Sequence, residues 1–441
     1  MNELKRALLE KIAAGTCHVG IIGLGYAGLP LALAFVERAK LKVTGFDVDA
    51  AKVQELARGR SYLLHVPSDR IARARATGLF DATTDLDELA HPDALLIAVP
   101  TPLSGAREPN LEHVASTARA IAQRLRPGQL IVLESTTYPG TTEGLLLELL
   151  EGSGLTSGRD FFLAYSPERE DPGNREFLTA AIPRLVGGVD PDSAQIAAAL
   201  YARALDQVVP VQRVRIAEAA KLAENVFRSV NIALVNELKV VFDRMGIDVW
   251  DVLDAAATKP FGFMRFEPGP GAGGHCIPID PLYLAWSARE AGVHARLIEL
   301  AAEINGEMPR YVVGKLERAL GLQRRSLEGS QILLLGIAYK KDSDDPRESP
   351  GLRLLSLLHE RGASVAYHDP RVPVLPRLVT GAELPALASQ PLTEGLLRTH
   401  DAVLLCTDHT DLDTARVLKY ARLIVDTRGV YREPHPKVVK A

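Results

Sequence analysis

The sequence has little cysteine, few aromatic residues and no long uninterrupted run of apolar residues. Its three cysteines, Cys17, Cys276 and Cys406, are far apart and form no Cys-x-x-Cys pair. This spacing argues against a disulfide framework and a structural zinc site, and it is typical of proteins in a reducing compartment. The N-terminal segment lacks the apolar stretch of a signal peptide, and no run is long enough to cross a membrane. We therefore expect a cytoplasmic protein without a membrane partner.

The composition also lacks an excess of charge of one sign. Charged residues make up 24% of the 441 residues and the formal net charge is −4, so no electrostatic surface for nucleic acid or for an anionic membrane is indicated. Apolar residues make up 47%, which is ordinary for a soluble α/β protein. The length is sufficient for two or three domains, each with its own core.

Short β-branched runs alternate with helical segments from residue 18 to about residue 200. Strands that are buried on both faces are predicted for 18–25, 42–49, 94–100, 129–136 and 161–167. Helices between such strands predict a parallel sheet. The segment 213–246 predicts one long helix that ends at Gly246. Its apolar residues occupy nearly every face, so we expect it to be buried from several sides and to form a subunit interface.

The same alternation returns towards the C-terminus, where a second, shorter α/β domain is expected. Its strands are predicted for 331–339, 364–370, 402–408 and 422–429. The predicted fold class is α/β, with two doubly wound, Rossmann-like domains joined by a long central helix and a small helical domain. We place the three domains at residues 1–205, 206–320 and 321–441.

A glycine-rich turn follows the first predicted strand. Gly23, Gly25 and Gly28 have GxGxxG spacing, which permits a tight turn, close approach of a pyrophosphate and close packing of helix on strand. The anion then lies at the helix N-terminus. Asp47 ends the second predicted strand, where a carboxylate accepts from a ribose 2′-hydroxyl and repels a 2′-phosphate. The motif predicts NAD rather than NADP, and the alternative is a glycine turn beside an incidental acid.

The second α/β domain has a different first turn. Only Gly336 remains of a glycine fingerprint, and Lys340, Lys341 and Arg347 bring positive charge. Because doubly wound sheets bind ligands at the carboxyl ends of their strands, a second phosphorylated ligand is one interpretation. A charged surface loop is the other, and the segment by itself favours neither.

Cys276 lies in the segment GAGGHCIPIDP, residues 271–281. The glycines before it would let a bulky substrate approach, and Asp280 and Pro281 resemble the cap and first-turn proline of a helix. A thiol close to a helix N-terminus has a lowered pKa and reacts as a thiolate. His275 could form half of a metal pair with Cys276, but no ligand cluster accompanies it, so we expect no metal.

NAD and a reactive cysteine together indicate oxidation of an alcohol, through an aldehyde, to an acid. The thiolate makes the aldehyde carbon tetrahedral, and a second hydride transfer leaves a thioester for water to cleave. This chemistry needs donors for an oxyanion and a base for water. Lys221 and Asn225, four positions apart in the long helix, are candidate donors, although such a pair is also typical of a solvated helix face. Glu168 is one of several acids after a strand end, and Asp280 has a catalytic role, a capping role or both.

The motifs in combination resemble the UDP-glucose/GDP-mannose dehydrogenase family, and most closely its bacterial UDP-N-acetylglucosamine 6-dehydrogenase branch, which serves surface-polysaccharide synthesis. The similarity extends from residue 18 to the end of the chain. It rests on the Lys221/Asn225 helix, on KPFGF and on GLGYAGLP, VPTPL, LESTTYPGTT, YSPEREDPGN, PGPGAGGHCIPIDP and GIAYKKDSDDPRES. The resemblance implies two successive NAD-dependent oxidations at C6 of a UDP-sugar, giving a uronic acid and two NADH. It also implies a homodimer or larger assembly through the central helix.

The resemblance further implies a role for individual residues. Cys276 would be the nucleophile, Lys221 and Asn225 would stabilise the oxyanion, and Asp280 would help to activate water. Glu168 and Thr136 match residues of the hydrolytic and water-positioning steps. The implied substrate contacts are Glu168, Lys221, Asn225, Gly273 and Lys340, and the implied cofactor contacts are Gly23, Gly25, Tyr26, Ala27, Gly28, Asp47, Lys52, Thr101, Thr136 and Arg347. The first domain would bind NAD, the second would carry the dimer interface and the cysteine loop, and the third would bind the UDP-sugar.

One departure bears on the substrate. His275 stands where many UDP-glucose dehydrogenases have serine, and this residue and KPFGF fit the N-acetylhexosamine branch. The expected substrate is UDP-N-acetyl-D-glucosamine, with UDP-glucose and UDP-N-acetylmannosamine as alternatives and the choice of epimer open. Two other classes are an isomerase that retains NAD and a non-catalytic NAD-sensing regulator. Neither gives a role to Cys276, Lys221 and Asn225 together.

Overall fold

The computed structural model describes residues 2–63, 65–169, 181–274, 277–375, 378–379, 382–383 and 387–441. The chain divides into two compact units. The first comprises Met1–Glu224 and Trp286–Gly292, and the second comprises Asn225–Ala285 and Val293–Ala441. The three domain boundaries expected from the sequence remain a prediction.

The first unit is built on an eight-stranded sheet. Its strands are β1 (His18–Ile22), β2 (Lys42–Phe46), β3 (Phe80–Thr83), β4 (Ala94–Ile97), β5 (Leu130–Leu133), β6 (Phe162–Tyr165), β7 (Arg184–Gly188) and β8 (Val208–Val211). They lie in the order β3-β2-β1-β4-β5-β6-β7-β8. The five predicted strands are confirmed and pair in parallel, whereas β7, which was not predicted, runs antiparallel to β6.

Helices cover both faces of this sheet. They are α1 (Glu3–Ala14), α2 (Gly28–Ala34) with a following π-helical turn (Phe35–Ala39), α3 (Ala50–Ala57), α4 (Ser68–Ala76), a 3₁₀ turn (Leu86–Ala90), α5 (Glu112–Ala122), a π-helical turn (Thr142–Leu146), α6 (Leu147–Glu151) and α7 (Pro191–Tyr201). All four residues of β4 and of β5 are fully buried, because side chains on alternate sides of each strand enter the two cores. The order of the strands places the β1–β4 pair at the switch point of a doubly wound sheet.

A long helix, α8 (Val214–Met245), follows the first sheet. Gly246 adopts a left-handed φ of 72° directly after it, which confirms the predicted end of the helix. Several residues of α8 are buried within the chain, whereas Phe227, Leu234 and Val241 are each about half exposed, so burial of this face at a subunit interface stays a prediction. These residues recur every seven positions and therefore share one face of the helix. The next helices are α9 (Val249–Ala257), α10 (Asp280–Glu290) and α11 (Arg296–Leu322).

The second unit contains the second α/β sheet. Its strands are β9 (Gln331–Leu335), β10 (Ser364–His368), β13 (Ala402–Leu405), β14 (Ile424–Asp426) and β15 (Val438–Lys440), with a separate antiparallel pair, β11 (Leu378–Val379) and β12 (Ala382–Glu383). The sheet order is β10-β9-β13-β14-β15, parallel throughout. The helices of this sheet are α12 (Pro350–Glu360), α13 (Glu394–Thr399) and α14 (Thr414–Tyr420). The predicted α/β class with two doubly wound sheets is confirmed. In the described part of the chain, no helix has both the length and the apolar character that spanning a membrane requires.

Candidate active site

The glycine turn after β1 forms an open cradle at the carboxyl edge of the first sheet. Gly23 has a left-handed φ of 94°, and a Cβ on Gly28 would lie 1.9 Å from the Gly23 carbonyl oxygen. Any larger residue at position 28 would therefore push α2 away from β1. A Cβ on Gly25 would meet none of the described protein atoms within 4 Å, so the space next to this glycine is open. Tyr26 and Ala27 are half-buried in the same turn. This arrangement fits a dinucleotide pyrophosphate.

Asp47 lies beside this cradle at the end of β2. Its Oδ2 accepts hydrogen bonds from the Leu24 backbone N–H at 3.0 Å and from the Lys52 ammonium at 3.2 Å, and its Oδ1 accepts from the Asp49 N–H at 3.0 Å. Two of the predicted cofactor residues, Asp47 and Lys52, are thus brought together with the glycine turn. A carboxylate held at this place suits a ribose hydroxyl.

The ends of β4 and β5 bring Thr101 and Thr136 to the same edge of the sheet. The Ser135 hydroxyl donates to the Val99 carbonyl at 2.7 Å and ties the two strand ends together. Thr101 is buried and Thr136 is half-buried. The neighbouring Thr137 is fully buried, and its hydroxyl has no hydrogen-bond partner in the described residues. Sequence analysis missed Thr137, although its position next to Thr136 was the available signal.

Glu168 faces a buried ion pair that sequence analysis also missed. The Arg184 guanidinium lies 3.8 Å from the Glu168 carboxylate through Nη2, and its Nη1 donates to Glu134 at 3.0 Å and to the Pro167 carbonyl at 2.8 Å. Burial raises the pKa of Glu134 to about 7, although Arg184 opposes the shift. The Tyr201 hydroxyl donates to the other oxygen of Glu134. Arg184 therefore lies between two carboxylates and holds the segment that carries Glu168.

Lys221 is buried rather than solvated. Its exposed fraction is 6%, so the solvated-face interpretation of this residue is wrong. One turn earlier in α8, the Glu218 carboxylate accepts from the Gly140 N–H at 2.6 Å and from the Thr142 N–H at 2.9 Å, and burial raises its pKa. Glu218 thereby fixes the start of α8 against the loop that follows β5, which contains Thr136.

Asn225 and Asp280 form a buried pair in the second unit. The Asn225 side-chain amide donates to the Asp280 carboxylate at 2.6 Å, and the two residues are 5% and 4% exposed. Asp280 is the first residue of α10 rather than the cap that precedes it, so the expected capping position was wrong. His275 and Cys276 lie outside the described residues. Among the described residues, no group of three or more His, Cys, Asp or Glu side chains is placed to hold a metal ion.

The remaining predicted site residues meet at the first turn of the second sheet. The Gly274 N–H donates to the Arg347 carbonyl at 3.3 Å, and a Cβ on Gly273 would lie 3.0 Å from the Tyr339 Cβ. The Lys340 ammonium is 5.8 Å from the centroid of the Tyr339 ring. The segment that precedes Cys276 therefore packs against the lysine-bearing loop. Arg347 lies in the second unit, whereas the other residues predicted to contact NAD lie in the first.

The chain matches three consecutive regions of one protein family. Residues 17–205 match the NAD-binding domain of the UDP-glucose/GDP-mannose dehydrogenase family, residues 215–307 match its central domain and residues 333–433 match its UDP-binding domain. The chain belongs to this family. The resemblance noted from the sequence is thereby confirmed, and so is NAD as the cofactor of the first unit.

Relatives within the UDP-glucose/GDP-mannose dehydrogenase family carry different substrate names. A UDP-N-acetyl-D-glucosamine 6-dehydrogenase from Pseudomonas aeruginosa is 36% identical over 80% of this chain and 83% of its own length. A UDP-N-acetyl-D-mannosamine dehydrogenase from Yersinia pestis is 35% identical over 94% of this chain and 99% of its own length. The solved structure of a UDP-D-ManNAc dehydrogenase from Pyrococcus horikoshii has a TM-score of 0.86 at 30% identity, covering 96% of this chain and 98% of that one.

Proposed function

We propose that this family member oxidises C6 of a UDP-N-acetylhexosamine in two NAD-dependent steps, and that its substrate is UDP-N-acetyl-D-glucosamine. The product is the corresponding uronic acid, a building block for surface polysaccharide. The 36% identical Pseudomonas relative supports this substrate, together with His275 and the KPFGF segment. A relative named for N-acetylmannosamine is almost as similar, so UDP-N-acetylmannosamine is the second candidate.

The burial of Lys221 and Asn225 is the observation that carries this proposal. Within the described part of the chain, the Lys221 ammonium makes no hydrogen bond or ion pair, although only 6% of the residue is exposed. An ammonium that makes no such bond within the described residues can pair with negative charge on a ligand. Preorganised donors of this kind stabilise negative charge that develops during a reaction. The Asn225–Asp280 bond at 2.6 Å keeps the amide in place.

The proposed mechanism uses the cysteine for the second oxidation. NAD, when bound, accepts a hydride from C6 in each of the two oxidations. After the first, the Cys276 thiolate adds to the aldehyde carbon, and Lys221 and Asn225 stabilise the resulting oxyanion. Loss of the second hydride leaves a thioester. Water, activated with the help of Asp280 and Glu168, then releases the carboxylate and regenerates the thiol.

Other residues bind and orient the two ligands in this proposal. The Gly23–Gly28 turn, Tyr26 and Ala27 hold the pyrophosphate of NAD, and Asp47 and Lys52 lie at its ribose. Thr101 and Thr136 line the cofactor edge, and Thr136 also orients water. In the second unit, Gly273 and Lys340 contact the sugar nucleotide and Arg347 lies near the cofactor.

Product stoichiometry tests the proposal. The purified protein is incubated with NAD and, separately, with UDP-N-acetylglucosamine, UDP-N-acetylgalactosamine, UDP-N-acetylmannosamine and UDP-glucose. We expect two NADH per UDP-N-acetylglucosamine, and a product that has gained one oxygen and lost two hydrogens. Fastest turnover of another sugar would overturn the substrate assignment. Interconversion of sugars without NADH would indicate an isomerase, and NAD binding without turnover would indicate a regulator.

A matched pair of asparagines in α8 tests the role of Asn225. The Asn231 residue is half-buried, and its amide donates to the Phe227 carbonyl of the preceding turn at 2.7 Å. We expect Asn225→Ala to lower kcat by roughly 100-fold, the scale for loss of one oxyanion donor, whereas Asn231→Ala retains near-normal turnover. Cys276→Ala should form at most one NADH per sugar. Equal effects at both asparagines would remove Asn225 from the mechanism.

We also propose that α8 joins two copies of the chain. Phe227, Leu234 and Val241 form a half-exposed apolar stripe at seven-residue spacing, which suits packing against a second helix. Leu234→Glu should convert a dimer into a monomer in analytical ultracentrifugation. An unchanged mass would show that the stripe is not the interface.

A further inference from the structure

The loop that follows β9, residues 337–349, is held to the rest of the second unit by several contacts, and one histidine takes part at two of them. We call this segment the lysine loop, because it carries Lys340 and Lys341. His409, in the turn after β13, is buried, with 6% of its surface exposed. Its two ring nitrogens contact two different anchors, one for the start of the lysine loop and one for its middle.

The first anchor is Asp369, at the end of β10. Its Oδ2 accepts from the backbone N–H groups of Ile337 and Ala338 at 2.8 and 2.9 Å, and it lies 3.2 Å from His409 Nε2. Its Oδ1 accepts from the Arg371 N–H at 2.9 Å. The side chain is fully buried. This carboxylate thus holds the first two residues of the lysine loop and one face of the histidine.

The second anchor is Asp342, in the middle of the loop. Its backbone N–H donates to His409 Nδ1 at 3.0 Å, and its φ of 58° is left-handed. Its carboxylate accepts from the Thr410 N–H at 3.0 Å and the Thr410 hydroxyl at 2.6 Å, and it pairs with Arg371 at 3.1 Å. A non-glycine residue is held in this conformation only where its surroundings impose it.

These contacts define the state of the ring. A backbone N–H can only donate, so Nδ1 accepts, and in the neutral imidazole the proton then resides on Nε2. Nε2 accordingly donates to Asp369. His409 is therefore a bridge with one donor and one acceptor, and each is satisfied by a different anchor. Lys340 and Lys341 lie between the two anchored points of the chain.

We propose that His409 is a positioning residue for the sugar nucleotide. It makes no contact with the ligand itself, and it fixes the backbone of the lysine loop so that Lys340 meets the diphosphate without a cost of ordering the loop. This inference rests on the proposed function of the loop as the UDP site. Preorganised loops bind more tightly because the ordering entropy is already lost in the free protein.

Two substitutions separate the two bonds of the ring. In His409→Gln, the side-chain amide nitrogen can replace Nε2 as the donor to Asp369, but no acceptor remains for the Asp342 N–H. In His409→Asn, the amide oxygen can replace Nδ1 as that acceptor, but the donor to Asp369 is lost. We expect His409→Gln to raise the Kd of UDP, measured by calorimetry, about tenfold, the effect of one lost buried hydrogen bond. The Kd of UDP for His409→Asn should stay within about threefold of the wild-type value.

The kinetic pattern distinguishes positioning from general destabilisation. His409→Gln should raise KM for the UDP-sugar while kcat and the KM for NAD remain near the wild-type values. The control is His435→Gln, because His435 Nδ1 also accepts a backbone N–H, that of Lys437 at 3.2 Å, in the segment that precedes β15. It should leave the Kd of UDP unchanged. Thr410→Val, at an exposed position, provides a second test of the Asp342 anchor and should weaken UDP binding about threefold.

The outcomes discriminate between this inference and the proposed function. If the wild type binds UDP and His409→Gln binds it equally tightly, the positioning role is wrong while the UDP site stands. If His409→Gln and His409→Asn lose the same affinity and the same thermal stability, His409 only stabilises the fold, and the inference is again wrong. If the wild type does not bind UDP, the proposed ligand of the loop is wrong and the inference fails with it.

Discussion

The two α/β sheets of this protein begin in the same way. In each, the first strand runs into a glycine with a left-handed φ, 94° at Gly23 and 85° at Gly336. In each, the first turn of the next helix has a glycine whose missing Cβ allows it to approach the carbonyl of the first glycine. A Cβ on Gly28 would lie 1.9 Å from the Gly23 carbonyl oxygen, and a Cβ on Gly351 would lie 3.0 Å from the Gly336 carbonyl oxygen. Strand, turn and helix therefore share one local design in both sheets.

The two turns differ in what lies between these glycines. Residues 24–27 of the first sheet form a short turn with open space at Gly25, whereas residues 337–350 of the second form a long loop with charged side chains. The acid at the end of the second strand differs as well. Asp47 accepts hydrogen bonds from one ammonium and from two backbone N–H groups. Asp369, by contrast, is fully buried and forms a hydrogen bond with His409.

The difference shows how one scaffold can provide two kinds of phosphate site. The first turn offers backbone N–H groups, a helix N-terminus and an acid for a ribose. In the second turn, the acid Asp369 bonds to the loop itself, so we expect the loop's own side chains to bind the phosphate groups, as proposed for Lys340. The turn of the second sheet is longer and carries charged side chains, although in both sheets the first strand lies between the second strand and a later parallel strand.

The largest effect is expected from alanine at the glycines in the first turns of α2 and α12. Gly28→Ala places a Cβ 1.9 Å from a backbone oxygen, whereas the Cβ in Gly351→Ala has its nearest contact at 3.0 Å. We expect Gly28→Ala to lower the unfolding free energy by about 3 kcal/mol and to raise the Kd of NAD more than about 100-fold. Gly351→Ala should lower the unfolding free energy by about 1 kcal/mol and retain UDP binding. Denaturant titration measures the unfolding free energies, and calorimetry measures the Kd values. Tight NAD binding by Gly28→Ala would show that the first turn is not the pyrophosphate site.

Much of this comparison could be predicted from the sequence, because it rests on local pattern. The buried runs of β1 and β4 and the glycine spacing predict the first sheet and its cofactor. Short strands such as β7 and β15 lack a continuous apolar run and were missed. Pairs such as Glu134 with Arg184 could not be predicted, because their contact depends on strand order rather than on spacing along the chain. The same holds for His409 and Asp342.

The second prediction uses the buried acid of the second sheet. Burial opposes ionisation of Asp369, but hydrogen bonds from His409 and from the Ala338 and Ile337 N–H groups outweigh it and lower the pKa from 3.8 to about 2. The folded state therefore favours the carboxylate. Asp369→Asn should lower the unfolding free energy at pH 7 by about 2 kcal/mol, since one pKa unit corresponds to about 1.4 kcal/mol.

The pH dependence of that difference provides the check. Because the folded pKa of Asp369 is below the unfolded value, its stabilisation is complete above about pH 4 and is lost as the pH falls towards 2. Denaturant titrations of wild type and Asp369→Asn should converge over this range. A difference that is the same at pH 7 and at pH 2 would mean that the ionised carboxylate is not the stabilising form.

The third prediction concerns the acid of the first sheet. Asp47→Ser removes the carboxylate that would bind the 2′-hydroxyl and repel a 2′-phosphate. The affinity for NAD should therefore fall more than the affinity for NADP. We expect the ratio of the two Kd values to change about tenfold, or about 1.4 kcal/mol. Calorimetry with each cofactor measures this ratio. If it does not change, Asp47 is not the ribose ligand, and the functional contrast between Asp47 and Asp369 no longer holds.

The smallest effect is expected at Lys341, the neighbour of the proposed ligand contact. Its ammonium lies 3.4 Å from the Asp408 carboxylate in a pair whose side chains are 52% and 32% exposed. Exposed pairs of this kind contribute about 0.2–1 kcal/mol, because water screens them. Lys341→Met should therefore change the unfolding free energy by about 0.5 kcal/mol. It should also weaken UDP binding less than Lys340→Met does, which titrations with UDP at low and high salt can measure. If both substitutions weaken UDP binding equally, and the effect disappears at high salt, the net charge of the loop attracts the diphosphate. A fixed position of Lys340, and therefore anchoring by His409, would then contribute little to UDP binding. The second turn would differ from the first in charge rather than in geometry.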